Sequence, residues 1–205
     1  MKKESEKFAV NKKERENASD ECSSMSSIYH VTHLENAYSS FHEGRLFSRL
    51  VHDKSKLPKH RISGCWLSPN DWTGAGGFRY GNVGFVFDIE SITKERAFYW
   101  IGSVPYGITA VRILISEKDY EGIFSPYDPS KDLCPWWYDT ETNKHYYNNK
   151  YCLELFVEDD MNVASCSGIE IVDHSGTYCS LHRNNPAACK DIGLSKMEGG
   201  RLFLS

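Results

Sequence analysis

From residue 28 onward the chain alternates apolar and polar positions in short runs. Residues 83–89 set Val83, Phe85, Phe87 and Ile89 against Gly84, Val86 and Asp88, a period of two that predicts a strand with one well-buried face. VRILI at 111–115 and CLELFV at 152–157 predict further buried strands. CWLS at 65–68 and IEIV at 169–172 predict two short ones. IYHVT at 28–32 is another, and it runs directly into a helix on which Leu34, Ala37, Tyr38 and Phe41 form one apolar stripe. Thr32 followed by Glu35 fits a capping box at the start of that helix, and Gly44 is its expected stop. Between these elements lie a polar loop at 51–61 (VHDKSKLPKHR) and a glycine-rich loop at 70–77 (NDWTGAGG) that can approach a ligand closely. An aromatic insertion at 135–151 has a middle made of turn formers. Short strands with one well-signalled helix place the chain in the α+β class.

Composition narrows the organisation. With 205 residues and 40% apolar content, the chain suits one domain that buries roughly 70% of its extended surface and needs no staples. Residues 1–21 carry six Lys/Arg and six Asp/Glu without apolar periodicity, so 1–26 are expected to be a solvated charged arm and 27–205 the domain. The formal charge of −4 argues against a broad, sequence-blind grip on polyanions and leaves room for a local basic or aromatic groove. No run of 18 apolar residues occurs, so no membrane span is expected. The basic opening lacks the apolar stretch of a secretion signal, which points to a cytoplasmic protein whose seven cysteines are reduced thiols, with a metal site as the competing use.

One charged position stands out. In CLELFV, Leu153, Leu155 and Val157 share one face, and Glu154 shares the other with Cys152 and Phe156. A lone buried carboxylate is too costly to keep, so Glu154 must be paired, hydrogen-bonded or open to a cleft. The segment YHVTHLENAYSSFHEGRL at 29–46 resembles the first motif of DarT-like ADP-ribosyltransferases, a Tyr-His-x-Thr strand end ahead of an Asn-bearing helix and a glycine stop. Tyr29, His30, Thr32, Asn36 and Gly44 match it. CLELFVEDD at 152–160 resembles the family's strand with a glutamate and an acidic turn, at Glu154. FRYGNVGFVFDI at 78–89 offers Arg79 for the family's arginine, with Arg61 as competitor. The glycine loop and the tryptophan-rich insertion depart from the family's pattern.

The resemblance implies a split, mixed β-sheet with few helices around an NAD cleft, and transfer of ADP-ribose from NAD⁺ with loss of nicotinamide. It implies Glu154 and Arg79 as catalytic residues and His30, Thr32, Asn36, Tyr80 and Arg61 as contacts to NAD. Glu154 would stabilise the positive charge that builds at the ribose C1 and deprotonate the acceptor. An arginine would hold the diphosphate by paired hydrogen bonds. His30 would bond a ribose hydroxyl, Thr32 would position the nicotinamide ribose, and Tyr80 would stack on the nicotinamide. It further implies a nucleic-acid base as acceptor, in DNA or RNA, and a toxin or anti-phage effector with a neutralising partner protein.

Other readings stand beside these. His30 can be a core or capping histidine, Arg79 can pair with Asp71 or Asp88, and Glu154 can belong to a structural ion pair. In the insertion, Trp136, Trp137, Tyr146 and Tyr147 either stack unpaired bases, at about 1–3 kcal/mol each, or fold their rings onto the body. His174, Cys179, His182 and Cys189 form a possible structural zinc set without the spacing of paired CxxC motifs. The rival functions are a transferase acting on protein, a non-catalytic nucleotide- or RNA-binding module, and a zinc-stabilised interaction domain.

Overall fold

Two of the apolar runs, Ala110–Ser116 (β8) and Cys152–Glu158 (β12), lie side by side and parallel at the centre of a six-stranded sheet. The computed structural model describes residues 22–51, 56–74, 79–105, 108–131 and 135–171, and the backbone of 201–202. The sheet continues from β12 to Ser63–Leu67 (β5) and Arg49–Leu50 (β4), and from β8 to Ala97–Val104 (β7) and Ser125–Tyr127 (β9). A four-stranded antiparallel sheet runs Arg201–Leu202 (β15), Gly168–Ile171 (β14), Val83–Asp88 (β6) and Ser27–Thr32 (β2). Among the described residues one backbone bridge joins the two sheets, where Tyr29 and Ser68 exchange hydrogen bonds of 2.8 and 3.0 Å. A small sheet, Cys22–Met25 (β1), Lys144–Asn148 (β11) and Trp136–Asp139 (β10), and a ribbon of Arg45–Leu46 (β3) with Met161–Asn162 (β13) complete the strands. Among the described residues the α-helices are Leu34–Glu43 (α1), Lys56–Lys59 (α2) and Ile89–Thr93 (α3). None of the described helices is long and apolar enough to cross a membrane.

The alternation read from the sequence sorts the side chains into layers. Ile28, Val83, Phe85 and Phe87 from one sheet meet Cys65, Leu67, Val111, Ile113, Leu153 and Leu155 from the other, with Leu34 and Ala37 of α1 joining them in one shared core. The opposite face of the six-stranded sheet carries a second, smaller cluster. There Leu57 of α2 and Ile62 pack on Phe156, Leu114, Tyr99 and Phe124. The α+β class is therefore as expected, and mostly sheet.

Several local expectations are corrected. α1 starts without a capping box: His33 is the N-cap and makes no side-chain cap, while the Thr32 hydroxyl accepts from Asn36 Nδ2 at 3.2 Å. The folded part reaches back to Cys22, because β1 pairs with β11, so the charged arm does not extend to residue 26. The polar loop at 51–61 contains α2, whose Leu57 is fully buried. The aromatic insertion is an antiparallel hairpin, β10 with β11. Strand β7 escaped the pattern reading because Gly102 and Ser103 dilute it and a bulge between Trp100 and Gly102 breaks its period of two.

Two glycines fix the geometry around β2. Gly44 ends α1 in the left-handed region, φ 69°, with open space where a Cβ would stand. Gly81, φ 135°, lies so close to β2 that a Cβ would stand 2.0 Å from the Thr32 carbonyl oxygen. Gly44→Ala should therefore cost about 1 kcal/mol, the left-handed penalty alone. Gly81→Ala should cost at least about 3 kcal/mol, since backbone rather than a movable side chain blocks it. Denaturant unfolding of the two variants checks the order, and equal costs would contradict the close approach at Thr32.

Candidate functional site

The site is built from one constraint on β12. Its neighbours on both sides are strands and both its faces are covered, so a carboxylate there needs a partner. In the parallel register Glu154 lies directly opposite Arg112 of β8, and Arg112 Nε donates to Glu154 Oε2 at 2.6 Å. The two side chains are 23% and 8% exposed. The pair is thus shielded, but not sealed. Arg112 takes Oε2, and no hydrogen bond reaches Oε1 among the described residues. The Arg112 guanidinium also lies 4.8 Å from the centre of the Trp66 ring, which packs on Phe156 at 4.7 Å. The partner had the same signal in the sequence as Glu154: VRILI, too, is an apolar run with one charge.

Trp66 links this pair to β2. Its carbonyl oxygen accepts from His30 Nδ1 at 2.9 Å. A carbonyl can only accept, so Nδ1 carries the proton and Nε2 presents a lone pair. Burial pushes the His30 pKa below its ordinary value, so the ring is neutral. His30 sits just past the Tyr29–Ser68 bridge between the sheets and occupies the position where continued pairing of β2 with β5 would have satisfied the Trp66 carbonyl with a backbone N–H.

A polar cluster borders the pair. Asn70 donates to Ser68 Oγ through its backbone N–H at 3.2 Å and through Nδ2 at 3.4 Å, and Tyr147 OH donates to Asn70 Oδ1 at 3.1 Å. The Cys152 thiol lies against Ser68. Burial, and then the charge of Glu154, push its pKa up to about 11. At neutral pH Cys152 is a thiol and not a nucleophilic thiolate.

The expected site residues are only partly brought together. His30 and Thr32 register with Phe85 and Val83 and face the shared core, whereas Glu154 is on the opposite face of its sheet. They do not face each other across one cleft, so the NAD cleft that the resemblance implies does not bring these residues together. The connection runs through Trp66, by its carbonyl to His30 and by its ring to Arg112. Thr32 is buried, and Asn36 is spent on its hydroxyl. Arg79 is exposed, lies over the Tyr80 ring at 5.7 Å and pairs with neither Asp71 nor Asp88. Tyr80 is exposed and tilts against Trp72 at 5.6 Å. Arg61 is exposed in the turn that follows α2. None of these three contacts Glu154.

The insertion takes the packing role. Trp136 is fully buried in the shared core, and Trp137 and Tyr147 are buried as well, which removes them from open stacking on a base. Tyr146 is half-exposed and stacks on Trp137 at 5.6 Å and 15°. Trp136 Nε1 donates to His145 Nδ1 at 2.9 Å, which places the His145 proton on Nε2, 3.1 Å from Glu90 Oε1. The zinc candidates His174, Cys179, His182 and Cys189 lie outside the described residues. Comparison with protein-family models, with curated proteins and with solved structures gives no match.

His30 and His145 make a pH signature. Burial depresses both pKa values, and in His145 the charge of Glu90 opposes that only in part. In the unfolded chain both titrate near about 6.5. Below that pH the unfolded state binds protons that the folded state refuses, so stability falls as pH drops toward the folded values. Each histidine contributes a slope of up to about 1.4 kcal/mol per pH unit in that window. Unfolding titrations between about pH 5.5 and 7.5 should show this fall, and His145→Gln should remove about half of it. An unchanged slope in the variant would refute the neutral, Trp136-bonded imidazole.

Proposed function

We propose that this chain is an NAD-dependent ADP-ribosyltransferase that modifies a base of a nucleic acid. The observation that carries the reading is the state of Glu154: a partly exposed carboxylate on a central strand, held at one oxygen by Arg112 and, among the described residues, given no hydrogen bond at the other. Such a group suits charge stabilisation at the ribose C1, because its orientation is fixed before a ligand arrives and its Oε1 is ready to meet developing positive charge. In the reaction the bond from C1 to the nicotinamide nitrogen breaks and nicotinamide leaves with the electron pair. The acceptor nitrogen or oxygen bonds to C1, and its proton passes to Glu154 and on to water. Arg112 acts as a positioning residue, keeping the Glu154 carboxylate aimed. The Tyr29–Ser68 bridge, the one that joins the two sheets among the described residues, is in keeping with the split sheet that the resemblance implies.

The same pair supports one other reading. A glutamate already neutralised by a guanidinium is also what a nucleotide-binding module without chemistry would keep, because the ion pair satisfies the buried charge whether or not anything reacts.

The two readings part on turnover. Wild-type protein incubated with NAD⁺ and, in parallel, DNA, RNA and a protein mixture should release nicotinamide and label nucleic acid. Glu154→Gln keeps an acceptor for Arg112 Nε but loses the charge, so it should still fold, at a lowered melting temperature, and lose at least about 100-fold in rate. NAD⁺ binding without release by the wild type would leave the binding module. Label in protein alone would move the acceptor class.

A further inference from the structure

The segment 45–61 (RLFSRLVHDKSKLPKHR) holds six of the chain's 24 Lys/Arg and a single acid, a local charge of +5 in a chain whose formal total is −4. Two of these cations are engaged. Arg45 pairs with Asp160 at 3.2 Å, and Lys56 Nζ donates to the Ile123 carbonyl at 2.6 Å. Arg49, Lys59 and Arg61 are exposed and make no ion pair with any described residue, and the exposed His60 beside them meets Phe124 edge-on at 6.3 Å. Arg49 is on β4, the edge of the six-stranded sheet, opposite Gly64 of β5, and Lys59, His60 and Arg61 follow at the end of α2. α2 and Ile62 pack on the face of the sheet that carries Phe156 and Trp66. That is also the face of Arg112 and Glu154, so the cations flank the candidate site on its own side.

Arg61 adds a second, independent sign. It closes α2 in the left-handed region, φ 55°, with its N–H on the Pro58 carbonyl (3.1 Å) and the Ile62 N–H on the Leu57 carbonyl (3.0 Å). A glycine would take that position without strain, so an arginine there is kept against local preference. Strain held at an exposed cation fits a role in binding rather than in folding.

We propose that Arg49, Lys59, His60 and Arg61 form a ridge that grips the phosphodiester backbone of a nucleic acid and leads the strand across Trp66 toward Glu154. Guanidinium forks suit paired contacts to phosphate oxygens, and unpaired, closely spaced cations release counterions when they meet a polyanion. An anionic membrane is the poorer fit, because such a surface needs apolar side chains beside its cations and Leu50 is the one large apolar side chain exposed on this segment among the described residues. That the ridge serves Glu154 rests on the transferase reading. That it binds nucleic acid does not.

The test compares wild-type protein with the triple variant Arg49→Gln, Lys59→Gln, Arg61→Gly. Fluorescence anisotropy follows a labelled single-stranded DNA of about 20 nucleotides, the matching RNA, the duplex, and phosphatidylserine vesicles, from about 50 to 200 mM salt. The wild type should bind nucleic acid with a steep salt dependence. The variant should lose at least about tenfold in affinity at the lowest salt, with its slope of log K against log salt shallower by about two. Its melting temperature should not fall, since glycine relieves the strain at 61. Equal affinity and slope in the variant, no binding of any nucleic acid by the wild type, or tighter binding to vesicles than to nucleic acid would each overturn the proposal. Nicotinamide release measured on the same samples separates the two claims. Salt-dependent binding without release sinks the transferase and leaves the ridge. Release onto nucleic acid by a variant that binds as well as wild type sinks the ridge and leaves the transferase.

Discussion

A charge on the middle strand of a covered sheet has to be answered by another charge, and here the parallel pairing of β12 with β8 places Arg112 beside Glu154 in the same register. Much of the site follows from that single requirement. The guanidinium needs a surface that does not compete for its hydrogen bonds, and the Trp66 ring supplies one at 4.8 Å. Trp66 is held in turn by Phe156 on one side and, through its carbonyl, by His30 on the other. Remove one member of the pair, and the other loses its facing charge in a shielded place, at a cost of about 3–5 kcal/mol. The pair therefore constrains the fold as well as any chemistry it supports.

The inner face of the sheets was legible because alternation speaks directly to burial. Val83, Phe85, Phe87, Leu153, Leu155 and Val157 lie in the shared core as their period of two requires. Gly44 was legible for a different reason, since a left-handed helix end tolerates few other residues. The capping box failed because Thr32 had a nearer partner: Asn36, one turn along α1, donates to its hydroxyl, and a side chain so engaged is not free to cap. Trp136 and Tyr147 were ambiguous in sequence because an exposed stacking platform and a packed hairpin use the same residue types. Only pairing with β1 and burial against Phe98 and Tyr127 separate them.

The site was legible at one of its two poles. An acid inside CLELFV announces itself, and an arginine inside VRILI does so with equal force. A search for a family arginine drew attention to Arg79 instead, which lies on an exposed loop over Tyr80. The physical criterion, a charge with no nearby solvent in the predicted strand, is the better guide of the two. Position along a strand also decides more than proximity in sequence. His30 and Thr32 precede α1 and resemble ligand contacts, yet their side of β2 is the core side. His30 reaches the neighbourhood of Glu154 only because β2 and β5 part after one bridge and leave the Trp66 carbonyl for its ring to satisfy.

Net charge misleads for a related reason. A formal −4 is a sum over the whole surface, but a bound polyanion responds to charges within roughly one Debye length, about 10 Å at moderate salt. Along the chain, residues 45–61 hold six cations and one acid, and the acids that β12 and its following turn bring near them are tied to partners of their own, Asp160 to Arg45 and Glu158 and Asp159 to Lys118. An acid already neutralised by a neighbouring cation contributes little repulsion at a distance, whereas an unpaired cation contributes its full attraction. A total of −4 therefore does not speak against a nucleic acid meeting Arg49, Lys59 and Arg61, because the attraction it would respond to is local.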